Sequence, residues 1–352
     1  MRCSHYVRAT RLLVLEWTAR LAAAGRAFKC ERRAALIERI GRAVNSVLAP
    51  FGVGLQRVGG ELREDRATLE ITTAIGCPLA CNCCPQGRLR SRYPQDDARE
   101  LSLDGFVAIL SSVPRDVRID FSGMAEPWTA RDATAMFRHA LEAGYVVSAY
   151  TTLVGMSDSD VAFLVEHMDH FDLENPFCLH LADDEGVMAG FRPSDEYRAH
   201  VAEVISAMNR VARKRRRANR ELQLMTMSSQ GRVHESIADL VRGDLLPFTP
   251  TSRAGALRED RAARVKHAYP VQCRDSTLYD RNVVLPNGDV FVCCMDYGLT
   301  APLGNLLTQS YQSIRKSEGL QRLVRANQCE GFDENVICKS CEWAVRAGTP
   351  RG

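Results

Sequence analysis

A chain of 352 residues, 45% hydrophobic and 25% charged, is long enough to bury a full core in two or three folding units, which excludes a disordered or fibrous polypeptide. Its formal net charge of +3 gives no ground for a general nucleic-acid binder, and no stretch has the length and apolarity of a membrane span. Thirteen cysteines, grouped at short spacings in so long a chain, read as reduced, metal-binding thiols of a cytoplasmic protein and not as a disulfide framework.

Residues 1–58 have a helical pattern and are basic. Leu12, Leu13, Leu15, Trp17 and Leu21, then Leu36, Ile37, Ile40, Val44, Val47 and Leu48, recur at helical spacing. Leu12-Leu-Val-Leu15 is too short for a secretory h-region and is followed at once by Glu16. Two readings of this extension stay open: helices packed on the domain that follows, or an amphipathic surface for peripheral membrane contact.

From 66 to 257 strand and helix patterns alternate. Strands are predicted at Thr68–Thr73, Arg118–Ser122, Tyr145–Thr151, Phe177–Leu181 and Leu222–Met227, with helices such as Ala130–Ala143 and Ser157–His167 between them. Such alternation implies an α/β fold with a parallel sheet and right-handed crossovers. On the fourth strand the run with Cys178 and His180 reads either as residues that point into the barrel and act on substrate or SAM, or as a core thiol and a hydrogen-bonded histidine. Asp183, Asp184 and Glu185 follow, as substrate ligands or as caps. The run Arg213–Arg217 lacks interleaved aromatics and reads as a solvated helix face.

The first strand runs into Cys77, Cys81 and Cys84, a C-x3-C-x2-C spacing. Three thiolates on one loop hold three irons of a cubane and leave the fourth open to a small molecule; the alternative is a zinc knuckle. The second strand runs into Gly123-Met-Ala-Glu-Pro127. In the last quarter come Cys273, a strand–turn–strand about Pro286–Asp289 that leads to Cys293 and Cys294, and the pair Cys338-Lys-Ser-Cys341. Four thiols there suit one further iron–sulfur cluster or a tetrahedral zinc.

In these motifs the chain resembles the radical S-adenosylmethionine (SAM) superfamily, and residues 262–346 resemble the twitch or SPASM-like auxiliary-cluster domain of some of its members. The resemblance implies a partial (β/α)6 TIM-like barrel at 66–257 with its open mouth at the strand C-termini, N-terminal helices, and a small C-terminal α+β domain. It implies a SAM-binding 4Fe–4S cluster on Cys77, Cys81 and Cys84, and a second 4Fe–4S cluster on Cys273, Cys293, Cys338 and Cys341, with Cys294 as the alternative to Cys293. Gly123, Ala125 and Glu126 would contact the amino group of SAM, Thr151 and Thr152 its carboxylate or ribose, and Arg253 of Ser252–Leu257 an anionic group. Cys83 stands where the family often has an aromatic residue, and Ala125 where it has a second glycine. The activity implied is reductive cleavage of SAM to a 5′-deoxyadenosyl radical. That radical would take hydrogen from a small polar substrate (a sugar, an aminocyclitol or a nucleotide sugar), giving oxidation or epimerisation with the auxiliary cluster as electron acceptor. An electron donor such as flavodoxin or ferredoxin is implied as partner. A peptide-modifying maturase is the second reading, and a non-catalytic iron–sulfur or zinc-stapled binding protein the third.

Overall fold

The computed structural model describes residues 53–58, 61–172, 175–215, 222–242, 245–249, 251–257 and 265–349. The chain divides into two compact units, residues 1–65 and 66–352. In the first, strand β1 (Val53–Val58) pairs with β2 (Glu61–Arg66). The helical reading of the extension therefore does not hold for residues 53–58. The segment holds two β-branched residues, Val53 and Val58, whose type favours strand pairing over the helical pattern upstream. The helices expected before residue 53 lie outside the described residues.

The second unit is built on a sheet of nine strands. Six run parallel as neighbours in chain order: β3 (Thr68–Ile71), β4 (Arg118–Phe121), β5 (Val147–Thr151), β6 (Phe177–Leu181), β7 (Leu222–Thr226) and β8 (Leu246–Pro247). Helices Leu103–Leu110, Ala133–Glu142, Asp158–Glu166 and Asp195–Arg215 fill the crossovers. This is the expected partial (β/α)6 barrel. Its sixth strand escapes sequence reading because it is two residues long and ends in proline.

Period-2 alternation sorts the strands into two faces. Leu69, Ile71, Ile119, Phe121, Val147, Ala149, Phe177, Leu179 and Leu181 are fully buried and join one core with Phe106, Ile109, Met136 and Phe137 of the helices. Phe137 stacks 5.0 Å from Phe121, and each such ring contributes about 1.5–3 kcal/mol by leaving water. The intervening residues point into the lumen: Thr68 and Glu70, Arg118 and Asp120, Ser148 and Tyr150, Cys178 and His180. None of these belongs to the apolar core.

The C-terminal strands continue the same sheet. β10 (Arg281–Val284) runs parallel to β3, aligning Val283 with Glu70, and β11 (Asp289–Phe291) and β12 (Pro302–Asn305) follow antiparallel. The predicted turn is present: Gly288 has φ +85° and donates its N–H to Leu285 O at 2.9 Å. A second sheet pairs β9 (Val271–Cys273) with β13 (Ala344–Arg346), both antiparallel.

Candidate metal centres and the space between them

β3 delivers the first cysteine loop. Thr72 N donates to Val284 O at 3.0 Å, and the loop is clasped from outside by residues 186–190. There Gly190 N donates to Leu79 O at 2.7 Å and Asn82 N to Val187 O at 2.8 Å. A Cβ on Gly190 would lie 2.1 Å from Pro78 O, so only glycine admits this approach. Cys77, Cys81 and Cys84 are half-buried, and Cys83 is buried beside them. Burial pushes the Cys77 thiol up, although it bonds the backbone at Glu126 and Leu79.

The turn after β4 presses on this loop from beneath. Gly123 has φ +68°, and a Cβ there would meet Thr72 Oγ1 at 2.5 Å. Met124 N donates to Thr72 Oγ1 at 3.1 Å, and Gln86 Nε2 donates to Met124 O at 2.6 Å. The Glu126 carboxylate is buried and accepts from Thr151 Oγ1 at 2.6 Å, Thr152 N at 2.8 Å and Thr152 Oγ1 at 2.8 Å. Burial raises its pKa against the pull of those donors. Gly123, Ala125, Glu126 and Thr151 are thus gathered at the mouth of β4 and β5, next to Cys77.

The second set converges from three segments. Cys273 ends β9, Cys293 follows β11, and Cys338 lies within the 3-10 turn Ile337–Ser340 that Cys341 caps. All four line a cavity of about 180 Å³ with Glu70, Tyr279 and Trp343, more than ten times the roughly 10–15 Å³ that one water requires. Their thiols perturb one another. Burial, then Cys294, Cys338 and Cys341, push Cys293 well above the usual thiol range. Burial, with Cys341 and Cys273, pushes Cys338 up to about 12. Neighbouring thiols that resist ionisation in this way fit a bound cation, which would hold them as thiolates. Cys294 lines the same cavity, next to Glu70 and with Arg253 nearby. Of the two, Cys293 is the thiol that Cys338 and Cys341 perturb.

The spread of the thiols bears on zinc. Zinc–sulfur bonds of about 2.3 Å put the corners of a tetrahedral site about 3.8 Å apart. Among the described residues, the set of three or more potential ligands within 4.8 Å of one another is Asp158, Glu196 and His200, which includes no cysteine. Neither thiol set has the compactness of a mononuclear site, and both suit a polynuclear cluster.

Between the two sets lie Tyr297, Arg118, Asp120 and Glu70, which the sequence reading passed over, and Arg253 and His180, which it named. Tyr297 Oη is 3.4 Å from Cys84 Sγ. Arg253 Nε donates to Cys83 O at 3.2 Å, so the position singled out in Ser252–Leu257 meets the cluster loop itself. In the lumen, Arg118 grips Asp120 through Nε at 2.7 Å and Nη2 at 3.0 Å. Burial, then Asp120, raises the Glu70 pKa from 4.5 to about 7. Burial, then Arg253, lowers His180 to about 4. The signal for these residues was available: polar side chains at every second position of otherwise apolar strands.

Other sequence candidates are occupied elsewhere. Asp183 accepts the N–H groups of Glu185, Val187 and Met188, Asp184 pairs with Arg232, and Glu185 holds Ser228. Cys178 is 1% exposed, and burial pushes its thiol up to about 12. Lys214 pairs with Asp169 at the exposed surface; Arg216 and Arg217 lie outside the described residues. No helix among the described residues is long and apolar enough to cross a membrane.

A cysteine loop at the first strand of a six-stranded parallel barrel is accompanied by a second cysteine site on the C-terminal hairpin, and the class of the latter is that of an iron–sulfur cluster-binding SPASM domain. Residues 273–342 match the SPASM family, described as an iron–sulfur cluster-binding domain. Cys273, Cys293, Cys338 and Cys341 all fall within the matched residues, and this donor set fits an iron–sulfur cluster. Among curated proteins the chain is similar to the probable dual-specificity RNA methyltransferase RlmN of Heliobacterium modesticaldum (strain ATCC 51547 / Ice1), 27% identical over 248 residues, 63% of this chain and 58% of that one. The chain thus spans somewhat over half the length of that relative. Solved structures similar to it include BtrN in complex with AdoMet and 2-DOIA, 13% identical with a TM-score of 0.47 over 80% of this chain and 93% of that one. Another is SuiB of Streptococcus suis, 12% identical with a TM-score of 0.47 over 97% and 88%.

Proposed function

We propose that this protein is a radical SAM oxidoreductase or epimerase acting on a small polar molecule such as a sugar, aminocyclitol or nucleotide sugar. The observation that carries this reading is the polar inner face of the barrel strands: Glu70 lines the auxiliary cavity, and Arg118, Asp120, Tyr150 and His180 occupy alternate strand positions outside the apolar core. Charged and hydroxyl groups buried this way demand polar partners, which hydroxyls and amines of such a substrate provide. When bound, SAM and the clusters supply the radical and accept the electron.

The chain's own residues have separable tasks. Cys77, Cys81 and Cys84 hold the first cluster; Gly123, Ala125 and Glu126 shape the turn against the amino group of SAM, and Thr151 fixes the Glu126 carboxylate. Cys273, Cys293, Cys338 and Cys341 hold the auxiliary cluster, as the functional module 262–346 beside the barrel 66–257. A hydroxyl-bearing carbon that has lost a hydrogen atom becomes a carbonyl by releasing one proton and one electron. Glu70 lines the auxiliary cavity, in place to take that proton as the electron leaves. The lumen walls exclude water from the radical. A cytoplasmic setting with a flavodoxin or ferredoxin as donor completes the reading. The test is 5′-deoxyadenosine formation by anaerobic, reconstituted protein with SAM and dithionite. Product from the wild type and none from Cys81→Ala supports the reading; no product from fully loaded wild type rejects it.

A further inference from the structure

The segment that follows the auxiliary ligand Cys293 reaches across to the first cluster loop. Cys293 is succeeded by a turn in which Asp296 N donates to Cys293 O at 3.1 Å and Tyr297 N to Met295 O at 3.0 Å. Asp296 is buried and its carboxylate accepts from Thr300 N at 2.9 Å, Thr300 Oγ1 at 2.9 Å and Ala301 N at 2.7 Å. The turn is thereby fixed, and with it Tyr297, whose ring is 2% exposed and whose hydroxyl lies 3.4 Å from Cys84 Sγ. Arg253 stands over the same ring, its guanidinium carbon 5.8 Å from the centroid. Its Nη2 is 4.0 Å from Cys84 Sγ and its Nη1 is 3.7 Å from Met295 Sδ.

We propose that Tyr297 and Arg253 are positioning residues that set the reduction potential of the first cluster, and that they tie that potential to the auxiliary segment carrying Cys293. The inference rests on the assignment of Cys77, Cys81 and Cys84 as ligands of that cluster. Reduction adds a negative charge to a cluster and its thiolates. A phenolic O–H donated to the Cys84 sulfur and a guanidinium beside it stabilise that extra charge, so both raise the potential. Cys83 is common to all variants below, so it does not enter the comparison.

The test is an EPR-monitored redox titration of the anaerobically reconstituted full chain, with iron and sulfide counted on each sample. The signal of the first cluster is identified as the one missing from the Cys77→Ala/Cys81→Ala/Cys84→Ala variant. Tyr297→Phe keeps the ring and loses the donor; Arg253→Gln loses the charge. Each is expected to move the midpoint of the first cluster to more negative potential, by a tenfold change in the reduced fraction or 59 mV for one electron, with the auxiliary midpoint unmoved. Unchanged midpoints at full iron load, or equal shifts of both clusters, would overturn the proposal. If Tyr297→Phe does not load, Arg253→Gln decides by the same criterion. Failure of the triple variant to remove any signal would instead reject the ligand assignment on which the inference rests.

Discussion

At the scale of single residues, two positions carry sharp consequences. Gly123 occupies the left-handed region at φ +68° with Thr72 Oγ1 2.5 Å from where a Cβ would sit. Alanine there costs about 1–2 kcal/mol from the backbone alone, and relief of the clash must displace either the turn or the cluster loop. Gly123→Ala is therefore expected to weaken SAM binding at least tenfold in equilibrium dialysis while the iron content of the protein is retained. Glu70 is the second position. Burial first, and Asp120 second, raise its pKa from 4.5 to about 7, so between those values the folded protein holds a proton that the unfolded chain has released. Stability contributed by this proton is present at low pH and is lost as pH rises towards 7, the reverse of an ordinary salt-bridged carboxylate. Difference infrared spectra of wild type and Glu70→Gln are expected to show a protonated carboxyl band that disappears with a midpoint near pH 7. Its absence at pH 6 would show Glu70 ionised throughout and remove it as a proton acceptor poised for neutral pH.

At the scale of elements, the register after β11 decides the chemistry. Both thiols line the auxiliary cavity, but Cys338 and Cys341 perturb Cys293 whereas Glu70 and Arg253 perturb Cys294, so the two are not equivalent. Cys293→Ser is expected to cut the count from about eight irons per chain to about four, and Cys294→Ser to leave it at about eight, two 4Fe–4S clusters' worth. Zinc in place of the four lost irons in wild type would contradict the spread of these thiols. The pairing of strands with their helices was legible in the sequence because each strand puts an apolar residue at every second position, as in Leu69 and Ile71 or Leu179 and Leu181. The cysteine spacings were legible for the same local reason: the ligands of the first loop lie within eight residues. The choice between Cys293 and Cys294 was not, since a one-residue slip leaves the local pattern intact and tertiary partners alone distinguish the two faces. Tyr297 was illegible for a related cause. Its partner Cys84 is 213 positions away, and nothing local in Met295-Asp-Tyr297 announces it. The strand Val53–Val58 was misread because helical periodicity upstream was extended into a segment with β-branched valines at both ends.

For the molecule as a whole, the sheet contradicts a simple division into barrel and appendage. β10 pairs with the first barrel strand over four residues, Arg281 to Thr68 through Val284 to Ile71, and Val283, Val284 and Leu285 are fully buried. A chain ended after Leu257 would keep the six parallel strands but leave β3 as a free edge, with its backbone groups unpaired and the apolar flank of Leu69 and Ile71 uncovered. Thr72 N, which donates to Val284 O at 3.0 Å, would lose its acceptor at the point where the first cysteine loop begins. The truncated protein is therefore expected to aggregate, or to bind far fewer than four irons when reconstituted in soluble form. The full chain with Cys273, Cys293, Cys338 and Cys341 changed to alanine keeps β10 and is expected to retain about four. Comparing these two proteins by size-exclusion chromatography and iron count separates the structural contribution of the C-terminal strands from that of the cluster they carry. Equal iron loading in both would mean that the barrel holds its cysteine loop without β10, and that the continuity of the nine-stranded sheet is not what positions the first metal site.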